Sequence, residues 1–351
     1  MNPYRALTSV TVTPAPDHVT QRFPGAAITY NNAVVMDPSS TAVRAHVVSV
    51  VTEIVRSYDV DGVVFDDYFY PYPDSAGTPF PDSAPYQAYV DAGGVLSLHD
   101  WRRDNVNQLV ASVSAAIKAE EPWVTWGIAP FGIHRPGMPP GVVGTDAYTV
   151  LATDPPRWIA EGWVDYLAPQ LYWSTVSTGQ PFGALVSWWA GLAPTGRYIH
   201  PSLGLYRLGT APEWTTGELE TEVALVRAEA PQTAGHTWFR YDMLADDVRG
   251  ERAMFSRIYD RPARPPAVIE TAGDIVLPPL VAHTGPAVSL AHPALSTIGG
   301  YAVYRDVAGT FQLDRWIPST STTASLPSGR YAISAIARGG AESQGVELVI
   351  P

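Results

Sequence analysis

Two adjacent carboxylates, Asp66 and Asp67, close the run Asp61-Gly62-Val63-Val64-Phe65 and lead straight into Tyr68-Phe69-Tyr70-Pro71-Tyr72-Pro73. Carboxylates held a few ångströms apart cannot both ionise easily, so one is kept protonated near neutral pH and is available as a general acid. The aromatic side chains beside them supply flat faces of the kind on which sugar rings stack. An Asp-Asp pair can equally cap a helix or build a turn. The tyrosines at 68, 70 and 72 favour chemistry on a carbohydrate.

The elements around the pair must place it at a strand end. Val63-Val64-Phe65 reads as a short strand buried on both faces, the parallel-sheet type, with the aspartates at its carboxyl end. Upstream, Ser39 to Tyr58 is expected to be a helix capped by Ser39 or Ser40, with Val43, Val47, Val50, Val51, Ile54 and Val55 at helical spacing. Residues 1–38 read as a loop-like opening.

Downstream, a proline-punctuated loop leads to a helix from Asp100 to Glu121. Strands are then expected at Val124–Pro130, Val164–Tyr172, Tyr198–Tyr206 and Thr237–Tyr241. Between and after them come helices near Arg157–Glu161, Leu185–Leu192, Glu213–Glu229 and Asp246–Tyr259. This alternation predicts a parallel α/β sheet of the (β/α) barrel kind. Its strand ends carry Asp66-Asp67, Phe131 with His134, Gln170 with Tyr172-Trp173, Tyr206-Arg207, and Arg240-Tyr241. Polar and aromatic residues recurring at successive strand ends are what a sugar cleft requires. An open groove with the two aspartates on its floor, lined by Tyr68, Tyr172, Trp173 and Tyr206, is therefore expected.

Arg261 to Pro266 forms a proline-rich linker, 261–267, after a first domain of residues 1–260. Residues 268–351 change to short alternating strands, Gly299–Arg305 and Gly329–Ala337. They resemble a small immunoglobulin or fibronectin type III sandwich, with Tyr331 where such folds carry a tyrosine corner.

Bulk properties narrow the partners. With 34 acidic against 22 basic residues the net charge is −12, which disfavours nucleic acid and anionic membrane surfaces. There is no cysteine, so thiol chemistry, zinc-thiolate sites and disulfides are excluded. No apolar run is long enough for a transmembrane helix, and no hydrophobic leader follows Met1. No metal or cofactor is implied. A metal-dependent deacetylase also uses paired aspartates, but it needs two histidines one helical turn apart, and none of the eight histidines is so spaced.

Taken in order, Asn2-Pro3-Tyr4-Arg5-Ala6, Val60 to Pro71, Asp100-Trp101-Arg102-Arg103-Asp104-Asn105-Val106-Asn107, Trp126 to Ile133, Gly162 to Trp173, Leu205-Tyr206-Arg207 and Phe239-Arg240-Tyr241 resemble the glycosyl-hydrolase-like family 10 proteins. The resemblance runs from residue 1 to about 260. It implies a barrel glycosidase, usually exported to the cell envelope or beyond, that acts on bacterial cell-wall glycan strands. It also implies Asp66 and Asp67 as catalytic residues. Tyr4, Arg5, Tyr68, Tyr70, Arg102, Asn105, His134, Gln170, Tyr172, Trp173, Tyr206 and Arg207 would bind substrate. In that family Asn-Pro-Tyr-Arg closes the third barrel strand, whereas here it follows Met1. An eight-stranded barrel lacking its first two strands and most of the third is therefore expected.

Glycosidases usually set two carboxyls about 5–5.5 Å or roughly 6.5–9.5 Å apart. Neighbours on a strand point to opposite faces, so Asp66 and Asp67 cooperate only if the chain bends there. The pair resembles that of the family 84 hexosaminidases, where one Asp orients the substrate's acetamido group and the other protonates the leaving oxygen. The sequence is also similar to family 18 chitinases, but Tyr68 stands where those carry their acid Glu. A conventional mechanism would need a second acid such as Asp146 or Asp154. A non-catalytic glycan-binding protein or an inactive truncated homologue is the other reading.

Overall fold

The structure, a computed structural model, describes residues 1–268, 271 and 273–351. The chain forms two compact units: Met1–Glu121 with Thr125–Glu251, and Pro122–Val124 with Arg252–Pro351.

The first unit does not open on a loop. β1 (Arg5–Leu7), a one-turn helix α1 (Val19–Arg22), β2 (Ala27–Tyr30) and β3 (Ala33–Met36) build an antiparallel sheet in the order β1-β3-β2. Asn31 and Asn32 turn β2 into β3 with φ of 46° and 60°. Two successive positive φ angles suit the tight hairpin turn whose twist matches its strands, and Asn tolerates them well.

Next comes α2 (Thr41–Ser57), whose buried Val43, Val47, Val51 and Val55 recur every fourth residue. Ser40 caps it, its hydroxyl accepting from the Val43 N–H at 3.3 Å. β4 (Gly62–Asp66) carries the aspartates. After the proline loop, α3 (Ser83–Asp91) precedes α4 (Leu98–Glu120), which packs on α2. α4 starts ahead of the expected Asp100 because Ser97 caps it, taking the Asp100 N–H at 3.2 Å. The unit continues through β5 (Thr125–Ala129), α5 (Ala147–Val150), α6 (Pro155–Ala160), β6 (Tyr166–Leu167), α7 (Phe182–Ala190), β7 (Tyr198–Ile199), β8 (Ser202–Leu203), α8 (Thr216–Ala228), β9 (Thr237–Trp238) and α9 (Tyr241–Asp246).

All neighbours in the sheet β4-β5-β6-β7 are parallel, and β8 pairs with β9 in parallel too. Gln170 joins the two sheets, bridging Phe131 on one side and Ser202 on the other. Mixed α/β content with parallel strands is as expected, and the five expected strands fall in register. They are shorter than expected, for a local reason. Pro169 and Pro201 lack the N–H a ladder needs, so 164–172 survives as β6 plus the bridge at Gln170, and 198–206 splits into β7 and β8. The helix expected over 246–259 likewise breaks: Asp247 (φ 51°) ends α9, Gly250 (φ 82°) follows, and α10 is Glu251–Ile258.

In the second unit, β10 (Leu280–Thr284), β11 (Ala287–Ala291) and β14 (Thr323–Ser325) form one antiparallel sheet. β13 (Thr310–Pro318), β12 (Ile298–Val307), β15 (Gly329–Ala337) and β16 (Val346–Ile350) form the other. Val288 and Leu290 from the first share a core with Tyr301, Val303, Tyr331, Ile333 and Ala335 from the second. The buried Tyr331 hydroxyl donates to the Pro327 carbonyl at 3.0 Å, four residues back.

Candidate active site

β4 alternates strictly. Val63 and Phe65 are buried, whereas Gly62 and Val64 (41% exposed) lie on the opposite face, the face to which Asp66 belongs. Phe65 meets Trp126 edge-on at 4.7 Å, which anchors the strand end. The backbone of Met1 lies against it, its amino group donating to the Val64 carbonyl (2.7 Å) and its carbonyl accepting from the Asp66 N–H (2.8 Å).

The two aspartates sit in different surroundings. Asp66 is half-buried, and its Oδ1 accepts from the Asp67 N–H at 2.9 Å and from the Gln170 amide at 3.0 Å. The same amide donates to the Ala129 carbonyl at 2.9 Å, which fixes its orientation. Asp67 is 2% exposed, and its Oδ2 accepts from the Tyr72 hydroxyl. Burial pushes its carboxyl up to about 7 and the neighbouring Asp66 adds to the rise, while the Tyr72 bond opposes it. One carboxyl is thus held by donors at the sheet's edge, and the other stays protonated close to neutrality.

Aromatic rings continue outward from the pair. The Arg5 guanidinium lies 4.0 Å over the Tyr68 ring. Tyr68 meets Tyr72 edge-to-face at 5.6 Å, Tyr72 meets Phe131 at 6.1 Å, and Phe131 meets Trp173 at 5.7 Å. Gly132 permits this closure, since a Cβ there would stand 2.2 Å from the Gln170 carbonyl oxygen and 2.7 Å from the Trp173 ring. A second cluster joins Tyr172 to Tyr206 (5.5 Å) and to Phe239 (5.9 Å), and the Tyr172 hydroxyl sits 3.1 Å from Ser202 Oγ. Burial raises the Tyr172 phenol, and both aspartates add to the rise, which puts it within their field.

A cleft of about 180 Å³ opens beside the pair, lined by Arg5, Tyr30, Asn31, Tyr68 and Tyr72 among others. Of the groove expected from sequence, Tyr68 lines this cleft, while Tyr172, Trp173 and Tyr206 do not, and neither Asp66 nor Asp67 forms its floor. The antiparallel N-terminal sheet supplies the opposite wall, through Tyr30 and the Asn31 turn. Sequence inspection missed both, having read that region as loop. It also missed Tyr72 as the partner of Asp67; its signal was a tyrosine held between Pro71 and Pro73.

The other expected site residues lie outside this cleft. Arg102 forks onto Asp82, with Nε 2.7 Å from Oδ2 and an Nη 2.5 Å from Oδ1. Asp82 is 1% exposed, so its charge requires that partner. Asn105 is buried in α4 with its amide nitrogen unpaired. His134 is buried, stacked on Trp188 at 5.8 Å and edge-on to Tyr148 at 5.3 Å, and burial lowers it to about 4. Tyr4 and Tyr70 are buried with their hydroxyls unpaired among the described residues, and Tyr70 packs edge-on to Phe80 at 5.4 Å. Arg207 lies 5.1 Å over Trp214. Asp146 caps α5 through the Thr149 N–H at 3.0 Å, and Asp154 stands at the N-cap of α6, where burial raises it.

Comparison with known proteins agrees with the sequence motifs. The model of the family described as Glycosyl hydrolase-like 10 matches residues 5–211. The glycosyl hydrolase YngK of Bacillus subtilis (strain 168) is 34% identical over 277 residues, 76% of this chain and 54% of YngK. The glycosyl hydrolase DigH of Escherichia coli (strain K12) is 35% identical over 229 residues, 62% of this chain and 51% of DigH. The chain therefore spans about half the length of the curated relatives it matches. Among solved structures, the PgaB (BpsB) glycoside hydrolase domain from Bordetella bronchiseptica overlaps 74% of this chain and 70% of its own at a TM-score of 0.41 and 12% identity. On the family match and the identity to YngK, this chain belongs to the glycosyl hydrolase-like 10 family.

Proposed function

We propose that the chain hydrolyses a β-linked polysaccharide containing N-acetylhexosamine, with bacterial peptidoglycan glycan strands as the leading substrate. The observation that carries this reading is the divergence of the two neighbouring carboxyls. Asp67 holds its proton up to about pH 7, while the half-buried Asp66 has two donors on one oxygen. A buried carboxyl whose proton is held into the neutral range is suited to act as a general acid.

In this reading Asp67 supplies the proton to the leaving glycosidic oxygen. Asp66, oriented by Gln170, steers the acetamido group whose carbonyl attacks the anomeric carbon. The substrate thereby takes the place of the second carboxylate. The rings of Tyr68, Tyr172 and Trp173, with Arg5 and the Tyr206-Arg207 segment, would hold successive sugars. A protein that only binds glycan needs these rings but has no use for a protonated Asp67.

Three related points belong to the same proposal. The parallel strands would form part of an eight-stranded barrel, the second unit would be a fibronectin type III-like spacer, and the site of action would be the cell envelope or beyond. The test is release of reducing ends from purified glycan strands and from N-acetylglucosamine oligomers, alone and with a thiazoline inhibitor. Hydrolysis blocked by the thiazoline supports acetamido participation. Hydrolysis it leaves untouched points to a conventional second acid, and binding without hydrolysis points to the non-catalytic reading.

A further inference from the structure

We propose that Tyr72 is a positioning residue for Asp67: its hydroxyl fixes the orientation of the carboxyl, and its ring, packed between Tyr68 and Phe131, holds that hydroxyl in place. Three observations converge on it. The Tyr72 hydroxyl is the one side-chain donor that reaches the Asp67 carboxyl among the described residues. Its ring is wedged edge-to-face between Tyr68 (5.6 Å, 68°) and Phe131 (6.1 Å, 72°), so it is held from two sides by two different strand ends. Tyr72 lines the cleft, whereas Asp67 does not.

The sequence explains why this tyrosine is so placed. Pro71 and Pro73 flank it, each fixing its own φ and holding the residue before it in an extended conformation. The segment therefore enters and leaves Tyr72 with little freedom, and the side chain is returned to the aspartate five residues earlier. A rigid donor costs little entropy on each turnover, which is what holding a reacting group in register demands.

The hydroxyl also acts on the charge of Asp67. Burial and Asp66 favour the neutral carboxyl, and the donated hydrogen bond favours the ionised one. The other charged or ionisable groups facing this site include the Met1 amino group, which acts on Asp66, Arg5 over the Tyr68 ring, Tyr68 on the same loop and Tyr172 at the strand end across the sheet. Tyr72 thus keeps Asp67 from drifting into a range where it would hold its proton too firmly to give it up.

The inference rests on Asp67 working in the reaction, but its first test needs no substrate. Carbon-13 NMR of the side-chain carboxyls, with Asp67 assigned by Asp67→Asn, follows its titration in the parent and in Tyr72→Phe. The variant keeps the ring and its packing, and equal thermal unfolding of the two confirms the fold. We expect the Asp67 midpoint to rise by about one pH unit. An unmoved midpoint would overturn the proposal. The second test is the pH–rate profile. Tyr72→Phe should move the alkaline limb upward by the same amount and lower the plateau about tenfold. In an Asp67→Asn background the same substitution should change the rate by less than about twofold. Full additivity of the two losses would show that Tyr72 acts elsewhere and would also overturn the proposal. A shifted titration in a protein that hydrolyses no glycan sinks the hydrolase reading while leaving the Tyr72–Asp67 coupling established.

Discussion

Asp67 and Asp165 are buried aspartates of one parallel sheet, and their surroundings are opposite. Asp165, 6% exposed, stands just before β6. Its Oδ2 accepts from Lys118 Nζ at 2.8 Å and from the Trp126 N–H at 2.7 Å, and its Oδ1 accepts from an Arg197 Nη at 2.5 Å. Two cations and a backbone donor compensate one carboxylate there. Asp67, just past the carboxyl end of β4, has a phenol and a second carboxylate for neighbours. Saturating a buried charge secures structure, whereas leaving it under-compensated creates a proton donor and costs stability. Asp67 lies just past the carboxyl end of its strand, the end at which parallel α/β folds place chemistry, and Asp165 just before the amino end of β6.

Neutralising each aspartate separates the two roles. Asp67→Asn should lower the hydrolysis rate by at least about 10²-fold, and Asp66→Asn likewise, with cooperative unfolding retained. Asp165→Asn should leave Lys118 and Arg197 facing a neutral group and cost about 3–5 kcal/mol of stability. The rate per folded molecule should stay near that of the parent. Denaturant titration beside active-site-normalised rates measures both. Undiminished turnover in both Asp66 and Asp67 variants would remove the pair from the reaction altogether.

The pH dependence follows from the same contrast. Asp67 ionises at about 7 in the folded chain against an ordinary aspartate value near 3.8, so folding favours its protonated form. Its contribution is complete below about 4 and is lost as pH rises to about 7, at up to roughly 1.4 kcal/mol per pH unit. Asp67→Asn should therefore be the more stable protein at pH 8 while being the less active. Activity of the parent should fall along an alkaline limb near 7, where the acid loses its proton.

Glu222 in α8 sharpens the point, because it is buried with no chemistry assigned to it. It is 0% exposed, neither carboxyl oxygen has a partner among the described residues, and burial, aided by Glu218, pushes it up to about 9. The sign is the same: stability present below about 4.5 is lost as pH rises toward 9. Glu222→Gln should raise stability at pH 8 by about 1–3 kcal/mol and flatten its pH slope, leaving the rate unchanged. A steeper slope in the variant would mean that Glu222 has a partner when ionised.

Much of this arrangement was legible in the residues, and the parts that were not share a physical cause. The Asp66-Asp67 strand end, the valine stripe of α2 and the alternation of strands with helices all rest on local patterns, and local patterns show in sequence. The N-terminal antiparallel sheet did not show, because its strands have only three or four residues and its signal is a single Asn31-Asn32 turn. Pairings over distance were equally hidden. Arg102 looked available for sugar until the fold brought it to Asp82, twenty residues away, whose burial claims it. Tyr72 was read as one aromatic among several, and only the bend after β4 turns its hydroxyl onto Asp67.

The smallest effect tests whether the compensation of Asp165 is shared or rests on one cation. Lys118 and Arg197 are not equivalent partners: the lysine side chain is 20% exposed and the arginine 11%. The ammonium keeps part of its hydration when unpaired, so losing its bond leaves Asp165 with a single Arg197 Nη bond and the Trp126 N–H. Lys118→Met retains most of the aliphatic stem that packs along α4 and removes the charge alone. It should cost about 1 kcal/mol, well short of the loss in Asp165→Asn, and should leave both the rate and the pH limb of Asp67 in place. Denaturant midpoints of the two variants at equal slope make the comparison. A loss in Lys118→Met equal to that in Asp165→Asn would show that one ion pair, and not a saturated carboxylate, holds this end of the sheet.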